Sequence, residues 1–480
     1  MLHQLKRLAK HSAIYGIGGF VSRILAVLLL PLYTHYLTRA DYGRVETLTA
    51  ASTVLVIVLR LGITSAFFRF YFDSKQAEDR VRVVRTSFWF TMAMATAGLI
   101  AGLVLAEPIA SALAMSGHTN LVRAAAIGLW AQMNYEQLTS LFRVEERSVQ
   151  FVYASLSNIV VTVAATVVLV VGFHQHALGV LVGNFTGTLV VYFALLAYRR
   201  YQLGLEFDRK LLRQMNKFGL PLVPSALALW AINFIDRLFV AHYKGQGEVG
   251  VYSVAVRVSS AIVFILIAFR TAWPAFAYSI EDDGEARRTY AYVLTYLVLI
   301  TCWASLALGA LAPWIVDLLS APPFHRAQEA VALLSFAAAA YAGYTVLAIG
   351  SGRARRTQFN WVVTGFGAAV NIGLNVVLIP RYGMIGAAVS TLVSYVALMI
   401  GMTLYSQRVY PVPYQWRRVL TAAGAAVGLT LVARWPDLPL GPSIVLVLVY
   451  PLALLGLAFY LPAERARLRR LVPSRMLTNG

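Results

Sequence analysis

The sequence predicts an all-α polytopic membrane protein with about fourteen transmembrane helices. Three observations predict it. Only 13% of the 480 residues are charged and 59% are hydrophobic, against roughly a quarter charged in soluble domains. Apolar runs of about 20 residues, long enough to cross a bilayer, recur along the whole chain. Basic residues cluster in short strips that alternate between successive connections.

The apolar runs come in order. The first six cover roughly 12–38, 44–72, 83–106, 119–142, 150–172 and 177–198. The next six cover roughly 218–241, 248–274, 289–312, 327–350, 358–379 and 383–406. Two shorter runs follow near 418–434 and 442–461, the thirteenth barely long enough between Arg418 and Arg434. Of 41 basic residues, 28 fall in one set of connections and 7 in the alternate set. Positive charge favours the cytoplasmic side, so both termini are expected to face the cytoplasm. The same strips account for the formal charge of +20, which is therefore no sign of nucleic-acid binding. No small-residue cleavage site follows the first apolar run, so no secretory signal is expected.

The outer connections are too short to hold a folded domain. The inner segment Tyr201 to Lys217 is basic and amphipathic and is expected to lie along the inner headgroups. A weak repeat flanks it. "DYGRVETLTAAS" opens span two and "EVGVYSVAVRVSS" opens span eight, at an offset of about 207 residues. Spans five and six resemble spans eleven and twelve in the same way, each pair with an early Asn, a turn and a Gly-containing helix. The expected organisation is an N-terminal six-helix lobe over 1–200, a linker over 201–217 and a second lobe over 218–407. Two further helices and a basic tail follow over 408–480. Paired repeats of this kind build a site with alternating access in many transporters.

The segments "LLLPLYTHYLTRADYG", "LRLGITSAFFRFYFD", "KFGLPLVPSALALWAINFIDRLFVAHY", "EVGVYSVAVRV" and "LNVVLIPRYGMIGAAVSTLVSY" occur in that order. Together they resemble the polysaccharide transporters, the Wzx-type lipid-linked oligosaccharide flippases of the MOP (MATE-like) superfamily. The resemblance implies two six-helix lobes around a central cavity. It also implies outward movement of an undecaprenyl-diphosphate-linked repeat unit, a precursor of O-antigen, capsule or exopolysaccharide, across a bacterial inner membrane. Its implied partners are that lipid-linked oligosaccharide, the bilayer, and a polysaccharide polymerase or co-polymerase. The other spans match this family in hydropathy alone.

Buried charges are the candidates for function, because an arginine at mid-membrane is unfavourable by about 2.5–3.5 kcal/mol on insertion scales. Arg23 shares a face with Ser12, Gly16 and Gly19, and Arg60 shares one with Glu46, Thr53 and Thr64. Arg257 stands between Ser253 and Ser260 on span eight. These three, with Arg237, are the expected diphosphate contacts, since a guanidinium fork matches phosphate oxygens. Glu46, Glu136 and Asp236 are the candidate coupling or structural acids, and Glu136 is a natural partner for Arg23. Asp236 and Arg237 are adjacent, so they are expected to engage different partners; the family resemblance keeps an Asp-Arg pair here. Arg69 and Arg270 are expected to snorkel to the inner interface. Pro31, Pro221, Pro224 and Pro274 are candidate hinges, the last ending span eight.

Other chemistry has little to stand on. The histidines are scattered, and the single cysteine, Cys302, sits in an apolar run, so neither metal site nor disulfide is expected. No phosphate-binding loop or catalytic constellation is present, so no cofactor and no enzymatic activity are expected. Lipid II flipping and cation-coupled drug export use the same architecture and are the alternatives. A membrane glycosyltransferase or polymerase would need larger outer loops.

Overall fold

The structure, a computed structural model, describes residues 25, 27–200, 203–435, 437–462 and 464–465. All regular structure among the described residues is helical. The helices are α1 (Leu30–Tyr36), α2 (Arg39–Arg60), α3 (Ile63–Asp73), α4 (Ala77–Val104), α5 (Ala106–Ala112), α6 (Thr119–Val144) and α7 (Ser148–Val167). They continue with α8 (His176–Arg199), α9 (Arg209–Gly219), α10 (Val223–Trp230), α11 (Asp236–Lys244), α12 (Gln246–Ser259) and α13 (Ala261–Ser279). The last are α14 (Asp283–Ala310), α15 (Ala312–Leu319), α16 (Gln328–Arg353), α17 (Asn360–Val409), α18 (Trp416–Arg434) and α19 (Leu440–Gly456).

Every expected span from the second to the fourteenth falls on helix. Nine stretches among the described residues are long and apolar enough to cross a membrane by length and composition. The difference from fourteen has plain causes. Most of the first span lies outside the described residues. α17 carries two spans on its 50 residues, divided where Gly383 takes φ 55° and ψ −131°. α19 is apolar but only 17 residues long, α18 opens on Trp416-Arg417-Arg418 and closes on Arg434, and α6, which holds span four, carries Arg123, Gln132, Glu136 and Arg143 and is not among the nine.

Several spans are broken, which sequence periodicity did not anticipate. Span two divides into α2 and α3 at Leu61 and Gly62, both with positive φ. Gly62 meets the backbone of Gly219, so any Cβ there would collide with a carbonyl. Such a break is tolerated at membrane depth only when protein covers it. Around Pro221 the chain tightens into a short 3₁₀ turn, Leu220–Leu222, and before Asp236 it loosens into a π-helical turn, Ala231–Ile235. Pro274 lies inside α13, which continues to Ser279, so it does not end span eight as expected. Pro31 sits in the first turn of α1, where its missing N–H is not needed.

The helices group into two compact units. One comprises the described residues up to Arg257 together with Val316–Ala330 and Trp361–Ala397; the other comprises Val258–Ile315, Val331–Asn360 and the described residues from Leu398 onward. In the first unit, α9 packs on α3 and α4, with Met215 buried and Asp208 capping the helix through the Lys210 and Leu211 amides. In the second, Arg418 at the start of α18 is buried against Phe459 and donates to Glu464 at 2.7 Å. Arg270, in the same unit, stacks on Tyr341.

α7 and α8 approach closely because of two glycines. A Cβ at Gly183 would collide with Thr166, and one at Gly187 with Thr162. Small residues four apart let helix backbones meet in a membrane. Gly187→Leu should therefore force the pair apart and lower stability by about 1–3 kcal/mol. Thermal unfolding of the purified protein in detergent checks this against wild type.

Candidate functional site

The site lies in the first unit and begins with the orientation of α2. Thr38 and Asp41 form a reciprocal cap at its start, the Asp41 amide donating to the Thr38 hydroxyl at 3.1 Å. This sets Tyr42, Glu46, Thr49 and Thr53 along one stripe of the helix. All four line a cavity of about 570 Å³, within the range of roughly 300–1,000 Å³ typical of small-ligand sites. Its walls come from Leu25, Leu29 and Tyr33 of the first span, from α2, α6, α7 and α8, and from the single residue Arg257 of α12.

Arg257 donates to Glu46 at 2.6 Å, and its guanidinium lies 5.4 Å from the centre of the Tyr42 ring and 5.8 Å from that of Tyr33. Its side chain is 25% exposed, whereas that of Glu46 is 10% exposed. Arg237 stands behind, 3.7 Å from the other Glu46 oxygen and 6% exposed. It also donates to the Asn233 carbonyl at 2.8 Å and to Asp236 at 3.3 Å. The Tyr252 hydroxyl donates to the second Asp236 oxygen. Two arginines thus meet two carboxylates, and the cluster is formally neutral.

The π-helical turn before Asp236 helps place these groups, since such turns re-aim the side chains that follow. Asp236 and Arg237 were expected to look to different partners. They do have separate ones in Tyr252 and Glu46, but they also bond to each other. The short Asp236 side chain curls back to accept the Arg237 amide at 2.8 Å, which brings the long guanidinium within reach. Both residues are buried in protein.

Arg60, at the end of α2, donates to Glu136 on α6 at 2.6 Å. Glu136 also accepts from Gln132 at 2.7 Å and lines the cavity, 34% exposed, while Arg60 sits behind it at 15%. The carboxylate suggested as a partner for Arg23 is thus engaged by Arg60; Arg23 itself lies outside the described residues. Arg69 pairs with Asp73 at 3.4 Å and stacks on Phe218, with its side chain 57% exposed.

The structure brings Glu46, Arg257, Arg237 and Asp236 into one cluster, and places Arg60 with Glu136 in another. Sequence reasoning missed the aromatic cradle of Tyr33 and Tyr42, and the carboxamides Gln132, Asn158 and Asn184 along the cavity. A signal was present for Asn184, a polar side chain between Gly183 and Gly187 in an otherwise apolar run.

A sequence profile described as "Polysaccharide biosynthesis protein" matches residues 34–329, more than half of the chain. The chain belongs to that family. The succinoglycan biosynthesis transport protein ExoT of Rhizobium meliloti is 23% identical over 284 residues, 58% of this chain and 55% of ExoT. The chain spans about half the length of the curated relatives it matches first. In three dimensions it resembles the lipid II flippase MurJ in an inward closed conformation, with TM-score 0.73 and 14% identity over 93% of this chain and 98% of that one. It also resembles an inward-facing MATE-family multidrug transporter of the MOP superfamily, with TM-score 0.64 and 15% identity over 86% and 96%. The fold is therefore the one these MurJ and MATE structures share, and the family shown is that of the polysaccharide biosynthesis proteins.

Proposed function

We propose that this protein moves undecaprenyl-diphosphate-linked oligosaccharide repeat units from the cytoplasmic to the outer leaflet of a bacterial inner membrane by alternating access. Both termini face the cytoplasm in this reading, and a polymerase or co-polymerase receives the exported unit. The observation that carries it is Arg257: a guanidinium at the wall of a largely apolar cavity, paired with Glu46 yet partly exposed, in a member of a polysaccharide biosynthesis family.

A diphosphate carries about two negative charges and loses much of its hydration on leaving the headgroups. Arginine stays ionised and binds phosphate oxygens through paired donors. Here Glu46 occupies the same guanidinium, so the cargo competes with it. Cargo binding and the state of Glu46 are then linked, which gives Glu46, with Asp236 behind it, a coupling role. Glu136, which also lines the cavity, forms a second such pair with Arg60, and Arg23 remains a further candidate contact.

Arg257→Ala should abolish surface polysaccharide while leaving the amount of membrane-inserted protein unchanged. Arg257→Lys, which keeps the charge but loses the fork, should restore only part of it. Full polysaccharide from Arg257→Ala would remove the residue from the site. Because Glu46 and Glu136 also line the cavity, cation-coupled drug export is the second reading. A deletion strain with altered drug susceptibility and normal polysaccharide would favour it.

A further inference from the structure

We infer that Gln132, Asn158 and Asn184, which line the same cavity as Arg257, form a sugar-recognition subsite that selects the glycan carried. The inference rests on the transport reading above and adds the part of the cargo that the arginines do not explain.

The wall is built from three neighbouring helices of the first unit: Gln132 lies on α6, Asn158 on α7 and Asn184 on α8. The glycine contacts between α7 and α8 fix its geometry, since Gly187 also abuts the Asn158 carbonyl. Asn158 accepts from Thr162 at 3.1 Å through its side-chain oxygen. Gln132 donates to Glu136. Among the described residues none hydrogen-bonds the Asn184 carboxamide, which adjoins the cavity. Phe185, next in sequence, packs its ring over Gly128, where no Cβ stands in the way.

The chemistry of this wall differs from that of the arginine cluster. A carboxamide offers a donor and an acceptor in one plane, which suits neighbouring sugar hydroxyls that each give and accept a hydrogen bond. The Glu46–Arg257 and Arg60–Glu136 pairs balance their charges, so the cavity favours a neutral polar occupant over a second ion. An apolar chain here would leave the Asn184 carboxamide unpaired in a region of low dielectric, which disfavours it. A site made for hydroxyls rejects compounds that lack them far more strongly than an apolar pocket rejects an extra methylene. The subsite therefore takes the first sugars of the repeat unit, with the diphosphate toward Arg257 and the prenyl chain outside.

Binding to the full-length protein in nanodiscs tests this with four probes: undecaprenyl diphosphate alone, or carrying a single glucose, galactose or N-acetylglucosamine. In wild type at least one sugar should tighten binding by about tenfold over the bare carrier. Asn184→Ala and Gln132→Ala should each shrink that gain, and the double variant should erase it, with affinity for the bare carrier and thermal stability unchanged. Arg257→Ala should instead weaken binding of all four probes. If the bare carrier binds but no sugar improves on it, or if the gain survives in the double variant, the subsite is wrong and the transport reading stands. If wild type binds none of the four, the transport reading fails and the subsite with it.

Discussion

Glu46→Ala should destabilise the protein by about 3–5 kcal/mol, the penalty typical of leaving a buried ion pair without one partner. Two guanidinium groups lean on this carboxylate, Arg257 at 2.6 Å and Arg237 at 3.7 Å. Without it, Asp236 is left to balance both arginines, and it touches only Arg237 among them. Glu46→Gln preserves the shape and one acceptor but not the charge, so its effect should be intermediate. The Glu46→Ala, Arg257→Ala double variant should lose less than the sum of the two single variants, because each removes the same contact. Thermal unfolding of the purified proteins in one detergent measures all three. Additive losses would mean that the pair is not energetically coupled.

Gly43→Leu should abolish export and lower stability by at least about 1–3 kcal/mol, the range for forcing atoms into a packed interior. A Cβ at Gly43 would collide with the Gln246 carbonyl, and one at Gly250 with the Arg39 carbonyl. Backbone cannot move aside as a flexible side chain can. The two contacts are reciprocal, because Gly43 and Gly250, and likewise Arg39 and Gln246, are separated by the same offset that relates "DYG" to "EVG" in the sequence. The Thr47 hydroxyl donating to Gln246 at 2.8 Å strengthens the same junction between α2 and α12. Gly43→Leu and Gly250→Leu should therefore be less than additive when combined. Normal surface polysaccharide and an unchanged unfolding temperature in Gly43→Leu would show that the helices do not need this approach.

Much of the fold was legible because a bilayer leaves few choices: a long apolar run must be helix, since no water is present to satisfy its backbone. The breaks were not legible. Leu61 and Gly62 interrupt span two because Gly219 arrives from another helix 157 residues away in the chain, and no local period records that. Candidate site residues divide along the same line. A charge in an apolar run stands out, so Arg60, Arg257, Arg237, Glu46, Glu136 and Asp236 could be singled out one by one. Their partners could not, because pairing depends on helix rotation and crossing. Tyr33 and Tyr42 gave no signal at all, since an aromatic ring in a membrane span is ordinary.

The sequence by itself determined that the chain crosses a membrane many times, which residues are too polar to face lipid, and which family it belongs to. Composition and order suffice for those, because the transfer energy of each residue is nearly independent of its distant neighbours. Only the tertiary structure decided that Arg60 meets Glu136, that Glu46 bridges Arg257 and Arg237, and that three carboxamides share a wall. Those outcomes depend on glycines that let particular helices touch, and a contact energy exists only once both partners are in place.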